Sequence, residues 1–130
     1  MKKIALLLVF TTAILLKVNA QNKMVTEKLL RHVVLFSFKE GSTPAQIKTV
    51  TDAFELLPQK ISLIKAFEWG TNNSPENLNQ GFTHCFFVSF ASEKDRDDYL
   101  PHAAHKAFVE VLKTVLDKVL VVDYWNKQEQ

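Results

Sequence analysis

Five side chains in this 130-residue chain have the types and spacing to move protons: His32, His84, Tyr99, His102 and His105. An imidazole takes or gives a proton near neutral pH. A phenol beside it can donate to the oxygen of a developing enolate or aldolate. A hydroxyl and two or three imidazoles around an apolar space therefore suit proton abstraction next to a carbonyl, the chemistry of a lyase or cyclase. Tyr99, His102 and His105 recur every third residue, although Pro101 blurs which of them share a face. His105 is expected inward, because Phe108 and Leu112 continue its line along a helix. His102, beside Pro101, is expected at the surface. Plainer readings stand beside these: a strand histidine is often a satisfied core residue, and a tyrosine often packs its ring and hydrogen-bonds its tip. His102 and His105 also have the i,i+3 spacing of two metal ligands, but no third ligand stands near them, so no metal is expected.

The elements that must position these residues are legible in the hydrophobic pattern. Residues 31–39 alternate as a strand, with His32, Val34, Phe36 and Phe38 on one face and Val33, Leu35 and Ser37 on the other. Thr43 is an N-cap, Pro44 suits the first helical position, and Gln46 completes a capping box. Ile47, Val50, Phe54 and Leu57 then recur at helical spacing until Pro58, which is expected to end the helix. Residues 61–69 form a second strand, 70–81 a polar loop and 82–90 a third strand with His84, Phe86, Val88 and Phe90 on one face. Ser92 caps a second helix that Pro101 kinks or restarts, running on through residues 104–117. Residues 119–125 form the last strand.

The order β-α-β-β-α-β is that of an α+β, ferredoxin-like domain: a four-stranded antiparallel sheet with both helices on one face. The other face carries Val33, Leu35, Cys85 and Phe87, too apolar for water, so it is expected to bury itself against a second copy in an isologous homodimer. In this topology the first and third strands are antiparallel neighbours, which sets His32 and His84 toward opposite ends of the sheet. About 20 Å of strand separates Phe90 from His84, and about 18 Å of continuous helix would separate Glu93 from His105. His84 and His105 are therefore expected at similar height, with Tyr99 between the levels of His32 and His105.

The chain begins as an exported protein would. Lys2 and Lys3 give a positive start, residues 4–16 an apolar run, and Val18-Asn19-Ala20 small residues for cleavage after Ala20. The run is shorter than the roughly 20 residues of a membrane-spanning helix, and Lys17 closes it early. The expected division is a signal peptide over 1–20, a flexible lead-in over 21–28, one domain over 29–125 and a tail over 126–130, with a periplasmic or extracellular destination. Lys2, Lys3 and Lys17 leave with the signal, so 13 basic residues face 14 acidic ones and the formal charge of +2 disappears. No basic cluster interleaves with aromatics, so no nucleic-acid partner is expected, nor any membrane contact after cleavage. Cys85 is the sole cysteine and cannot form an internal disulfide.

RHVVLFSFK (31–39), QGFTHCFFVSF (80–90), DDYLPHAAHKAF (97–108) and VLVVDYW (119–125) together resemble the stress-responsive α/β-barrel, or Dabb, family over residues 29–125. The resemblance implies a dimeric α+β barrel. The family is functionally mixed, and many members are stress-associated small dimers. One plant member closes a linear polyketide by aldol condensation. Its catalytic tyrosine and histidine fall on Tyr99 and His105, and its two strand histidines on His32 and His84. The expectation is an exported homodimer binding a small apolar or carbonyl-containing molecule between helix and sheet, with His32, His84 and His102 as binding residues. A cyclase or lyase using Tyr99 and His105 as an acid–base pair is the first alternative. A haem-related monooxygenase of the same superfamily is the second. No residue selects haem, and no cofactor is expected.

Overall fold

In the computed structural model, which describes residues 27–127, Thr43 caps the first helix as its sequence requires. Its hydroxyl accepts from the Gln46 amide at 3.2 Å, and its own amide donates to Gln46 Oε1 at 2.8 Å. The chain order is β1 (Leu30–Phe38), α1 (Pro44–Glu55), a short α2 (Leu57–Lys60), β2 (Ile64–Thr71), β3 (His84–Phe90), α3 (Glu93–Tyr99), α4 (Ala103–Lys113) and β4 (Leu116–Trp125). The expected signal segment, most of the lead-in and the last three residues lie outside the described residues.

All four strands pair antiparallel in the order β2-β3-β1-β4, with the helices on one face. The ferredoxin-like expectation holds. Three local differences have physical reasons. Pro58 does not end a helix: α1 has already stopped at Leu56, and Pro58 sits in the first turn of α2, where its missing N–H costs nothing. β2 starts at Ile64, because the end of α2 and a turn occupy residues 61–63. β4 starts at Leu116 rather than Val119, so α4 is shorter than its periodic pattern and the final strand longer.

The core lies between the helices and the inner face of β1, β2 and β3. Phe54 on α1 meets Phe86 of β3 at 4.5 Å and Phe108 of α4 at 4.4 Å, ring centre to ring centre, with Phe36 of β1 completing the cluster. These rings are almost wholly buried and form the aromatic centre of the apolar core that holds the helices to the sheet.

β4 is treated differently. It is an edge strand beyond β1, and no helix packs closely on it. Val119 and Val121 point to the helix side, opposite Phe36 and Val34, yet each is 49% exposed. On the opposite face Leu120, Val122 and Tyr124 are also nearly half exposed, continuing a surface that includes Val33 and Leu35. Among the described residues no helix is long and apolar enough to cross a membrane.

Candidate functional site

The uncovered inner face of β4 forms one wall of a cavity of about 600 Å³, with α3 and α4 opposite. Its body is apolar: Phe36, Phe108, Leu112, Leu116, Val119 and Val121. One end is polar, where His32, Arg96, Tyr99, His105 and Asp123 converge. A concave apolar space with a few polar groups at one end is the usual form of a small-molecule site.

Local sequence places each group. Ser92 caps α3 by accepting from the Asp95 amide at 3.0 Å, and Glu93 and Asp95 in the first turn favour the positive end of the helix. That helix ends at Tyr99. Pro101 forbids continuation; the chain turns, and α4 restarts with His102 as its N-cap, His102 Nδ1 accepting from the Ala104 amide at 3.1 Å. The break folds His105 back beside Tyr99, so the two ring centres are 4.3 Å apart. On β1, alternation turns His32 inward, 6.0 Å from the Tyr99 ring and 6.2 Å from Phe90. Strand register sets Asp123 of β4 directly opposite His32, with Nδ1 and Oδ1 2.7 Å apart.

Tyr99 is 1% exposed, and burial pushes its phenol well above the ordinary tyrosine range. The group is therefore a hydroxyl donor throughout physiological pH. No protein hydrogen bond to this hydroxyl occurs among the described residues, and no buried side-chain oxygen or nitrogen there is sealed off without a partner. Tyr99 lines the cavity. His105 Nδ1 lies 2.9 Å from the Leu100 carbonyl. A carbonyl can only accept, so Nδ1 carries the proton and Nε2 holds a free lone pair. Burial chiefly lowers the His105 pKa, helped by His32 and His102 and opposed by the Leu100 hydrogen bond. A neutral imidazole with an open nitrogen beside a protonated phenol is a general base next to a hydrogen-bond donor.

The cavity therefore gathers three of the five candidate residues: His32, Tyr99 and His105. The other two lie elsewhere. His102 is half-buried and spends Nδ1 on capping α4. His84 is not level with His105. It stacks on Trp69, with Phe38 edge-on at 5.0 Å and its Nδ1 2.9 Å from the Thr83 hydroxyl, beside a smaller cavity of about 330 Å³ near the 72–83 loop. The height expected for His105 assumed a continuous helix, and the break at Pro101 removes that assumption. Burial lowers the His84 pKa as well.

Two members of the polar end were not singled out in the sequence. Asp123 was readable in principle, as the acid that shares a strand face with Val119 and Val121. Arg96, whose Nη1 is 2.7 Å from Asp123 Oδ2, had no signal, because the contact joins residues 27 apart across the cavity rim. Among the described residues no group of three or more His, Cys, Asp or Glu side chains is arranged to hold a metal ion.

Comparison with known proteins agrees with this architecture. Residues 30–126 match the model of the Stress responsive A/B Barrel Domain. The chain is 42% identical over 95 residues to the stress-response A/B barrel domain-containing protein HS1 of Arabidopsis thaliana, covering 73% of this chain and 87% of that protein. It is 30% identical over 95 residues to olivetolic acid cyclase of Cannabis sativa, covering 73% and 94%. A crystal structure of an Arabidopsis thaliana protein superposes with a TM-score of 0.73 at 40% identity, covering 78% of this chain and 98% of the other. A dimeric ferredoxin-like protein from Bacteroides fragilis superposes with a TM-score of 0.61 at 27% identity, covering 74% and 94%. With a family model matched over most of its length and relatives of this similarity, the chain belongs to the stress-responsive A/B barrel (Dabb) family.

Proposed function

We propose that this protein is an exported homodimer whose cavity takes a carbonyl compound with an apolar tail and moves a proton next to the carbonyl. The juxtaposition of Tyr99 and His105 at the polar end of the cavity carries this reading. The tail fits the apolar body against Val119 and Val121. The carbonyl oxygen accepts from the Tyr99 hydroxyl, which stabilises the enolate oxygen as charge develops. His105 Nε2 takes the proton from the adjacent carbon, and the electron pair of that C–H bond becomes the enolate. Similarity to a protein named as a cyclase supports a catalytic reading of the pair. Export rests on the leader-like residues 1–20. The dimer is supported by the half-exposed apolar face of Leu120, Val122 and Tyr124 and by the dimeric relative of the same fold.

The test needs no natural substrate. A medium-chain alkyl methyl ketone is incubated with the protein in deuterated buffer, and exchange of its α-protons is followed by NMR. The wild type is expected to accelerate exchange, and His105→Ala to abolish the acceleration while the dimer persists. Saturable binding of the ketone without acceleration would reduce the protein to a binding module. A His105→Ala variant that fails to fold would mark His105 as structural.

A further inference from the structure

We propose that Arg96 is a positioning residue of the cavity: by gripping one oxygen of Asp123 it fixes the His32 ring so that Nε2 faces the bound molecule. The proposal rests on the cavity being the working site only for its consequence; the arrangement itself is read without a ligand.

Three side chains from three elements form one chain of contacts. His32 Nδ1 is 2.7 Å from Asp123 Oδ1, and Asp123 Oδ2 is 2.7 Å from Arg96 Nη1. Arg96 is held in turn by Asp97, whose Oδ1 accepts from Arg96 Nε at 2.9 Å. His32 is enclosed, with a side chain 7% exposed. Its ring neighbours, Tyr99 and Phe90, meet it edge-on. Such contacts set the plane of the ring but not which nitrogen points where. A half-turn about the Cβ–Cγ bond exchanges the positions of nitrogen and carbon at little steric cost, so the Asp123 bond decides the orientation.

Asp123 cannot hold that orientation unaided. It lies on the edge strand, two residues before the end of β4, with solvent on one side. A lone carboxylate there has rotamers that face water. Using both oxygens, one on the guanidinium and one on the imidazole, selects a single rotamer, and the charge-assisted bond to Arg96 is of the stronger kind. The other charged or titratable groups near this end are Glu93 and Asp97 on α3, His102 and His105 at the start of α4, and the Tyr99 phenol. None reaches Asp123 in place of Arg96. Nδ1 of His32 is spent on Asp123 and Nδ1 of His105 on Leu100, which leaves Nε2 of each ring without a protein partner among the described residues, on two rings that both neighbour Tyr99 in the cavity wall.

The ring nitrogens report this directly. In 15N-labelled protein, long-range 1H–15N correlation identifies which nitrogen of each histidine is protonated. Wild-type His32 is expected as the Nδ1–H form with a bias of about tenfold or more, the size of one charge-assisted hydrogen bond. Arg96→Met keeps the aliphatic stem but removes the donors, and the bias should fall several-fold; Arg96→Lys should restore part of it. Glu93→Ala is the control, because it loosens α3 from β4 by removing the 3.2 Å contact to Trp125 Nε1 without touching Asp123. It should leave His32 unchanged. The proposal is overturned if wild-type His32 lacks the bias, if Arg96→Met retains it in full, or if Glu93→Ala reduces it as much as Arg96→Met. Should Arg96→Met fail to fold, Arg96→Gln and Arg96→Lys make the same comparison.

Discussion

Substitution of Tyr99 separates packing from chemistry, because its ring and its hydroxyl do different things. The ring is 1% exposed, 5.0 Å from Phe90 and 4.3 Å from His105, centre to centre. Removing it in Tyr99→Ala leaves a cavity beside an existing one. For a large aromatic this costs about 3–5 kcal/mol, and at about 4–8 °C per kcal/mol for a domain of this size the melting temperature should fall by about 12 °C or more. Tyr99→Phe keeps the ring and deletes only the hydroxyl, which has no protein partner among the described residues. No hydrogen bond is lost and no partner is orphaned, so the change in stability should stay within about 0.5 kcal/mol, or roughly 2–4 °C. The same variant should lose the acceleration of α-proton exchange, since the donor to the enolate oxygen is gone. Thermal melts by circular dichroism give the first quantity and deuterium incorporation the second. The reasoning fails if Tyr99→Phe melts as low as Tyr99→Ala, which would make the hydroxyl structural. It also fails if Tyr99→Phe exchanges protons at the wild-type rate.

Two other outcomes follow from the geometry. Burial lowers the pKa of His105 and of His84 in the folded state, so below about pH 6.5 the unfolded chain binds protons that the folded chain resists. Stability should therefore fall as pH drops below that value, and His105→Gln should flatten the decline in a urea-melt series between pH 7.5 and 5; an unchanged slope would contradict the burial of His105. Val122→Asp places a charge in the middle of the half-exposed outer face of β4, and the protein should then sediment as a monomer, whereas a wild type that already sediments as a monomer would remove the dimer.

Much of the architecture is legible in the residue pattern itself. Two-residue alternation in β1 and β3, the Thr43 and Ser92 caps, and the positions of Pro44 and Pro101 report local preferences, and local preferences survive in the folded chain. Alternation also assigned His32 to the inner face. These features come from backbone geometry and from residues close in sequence, which is why the order of elements and the fold class were legible.

The site depended on tertiary structure. A count of helical rise could not locate His105, because the turn at Pro101 changes direction by an amount that packing, not propensity, sets. The cavity exists because the helices pack closely on the sheet only as far as β1, so that Val119 and Val121 face inward and yet stay half exposed. No periodicity in residues 116–125 records that vacancy on the far side of the strand. Strand register then brought Asp123 opposite His32, and the placement of α3 across the rim brought Arg96 to Asp123. Both contacts join residues far apart in the chain, and only the closed fold makes them neighbours.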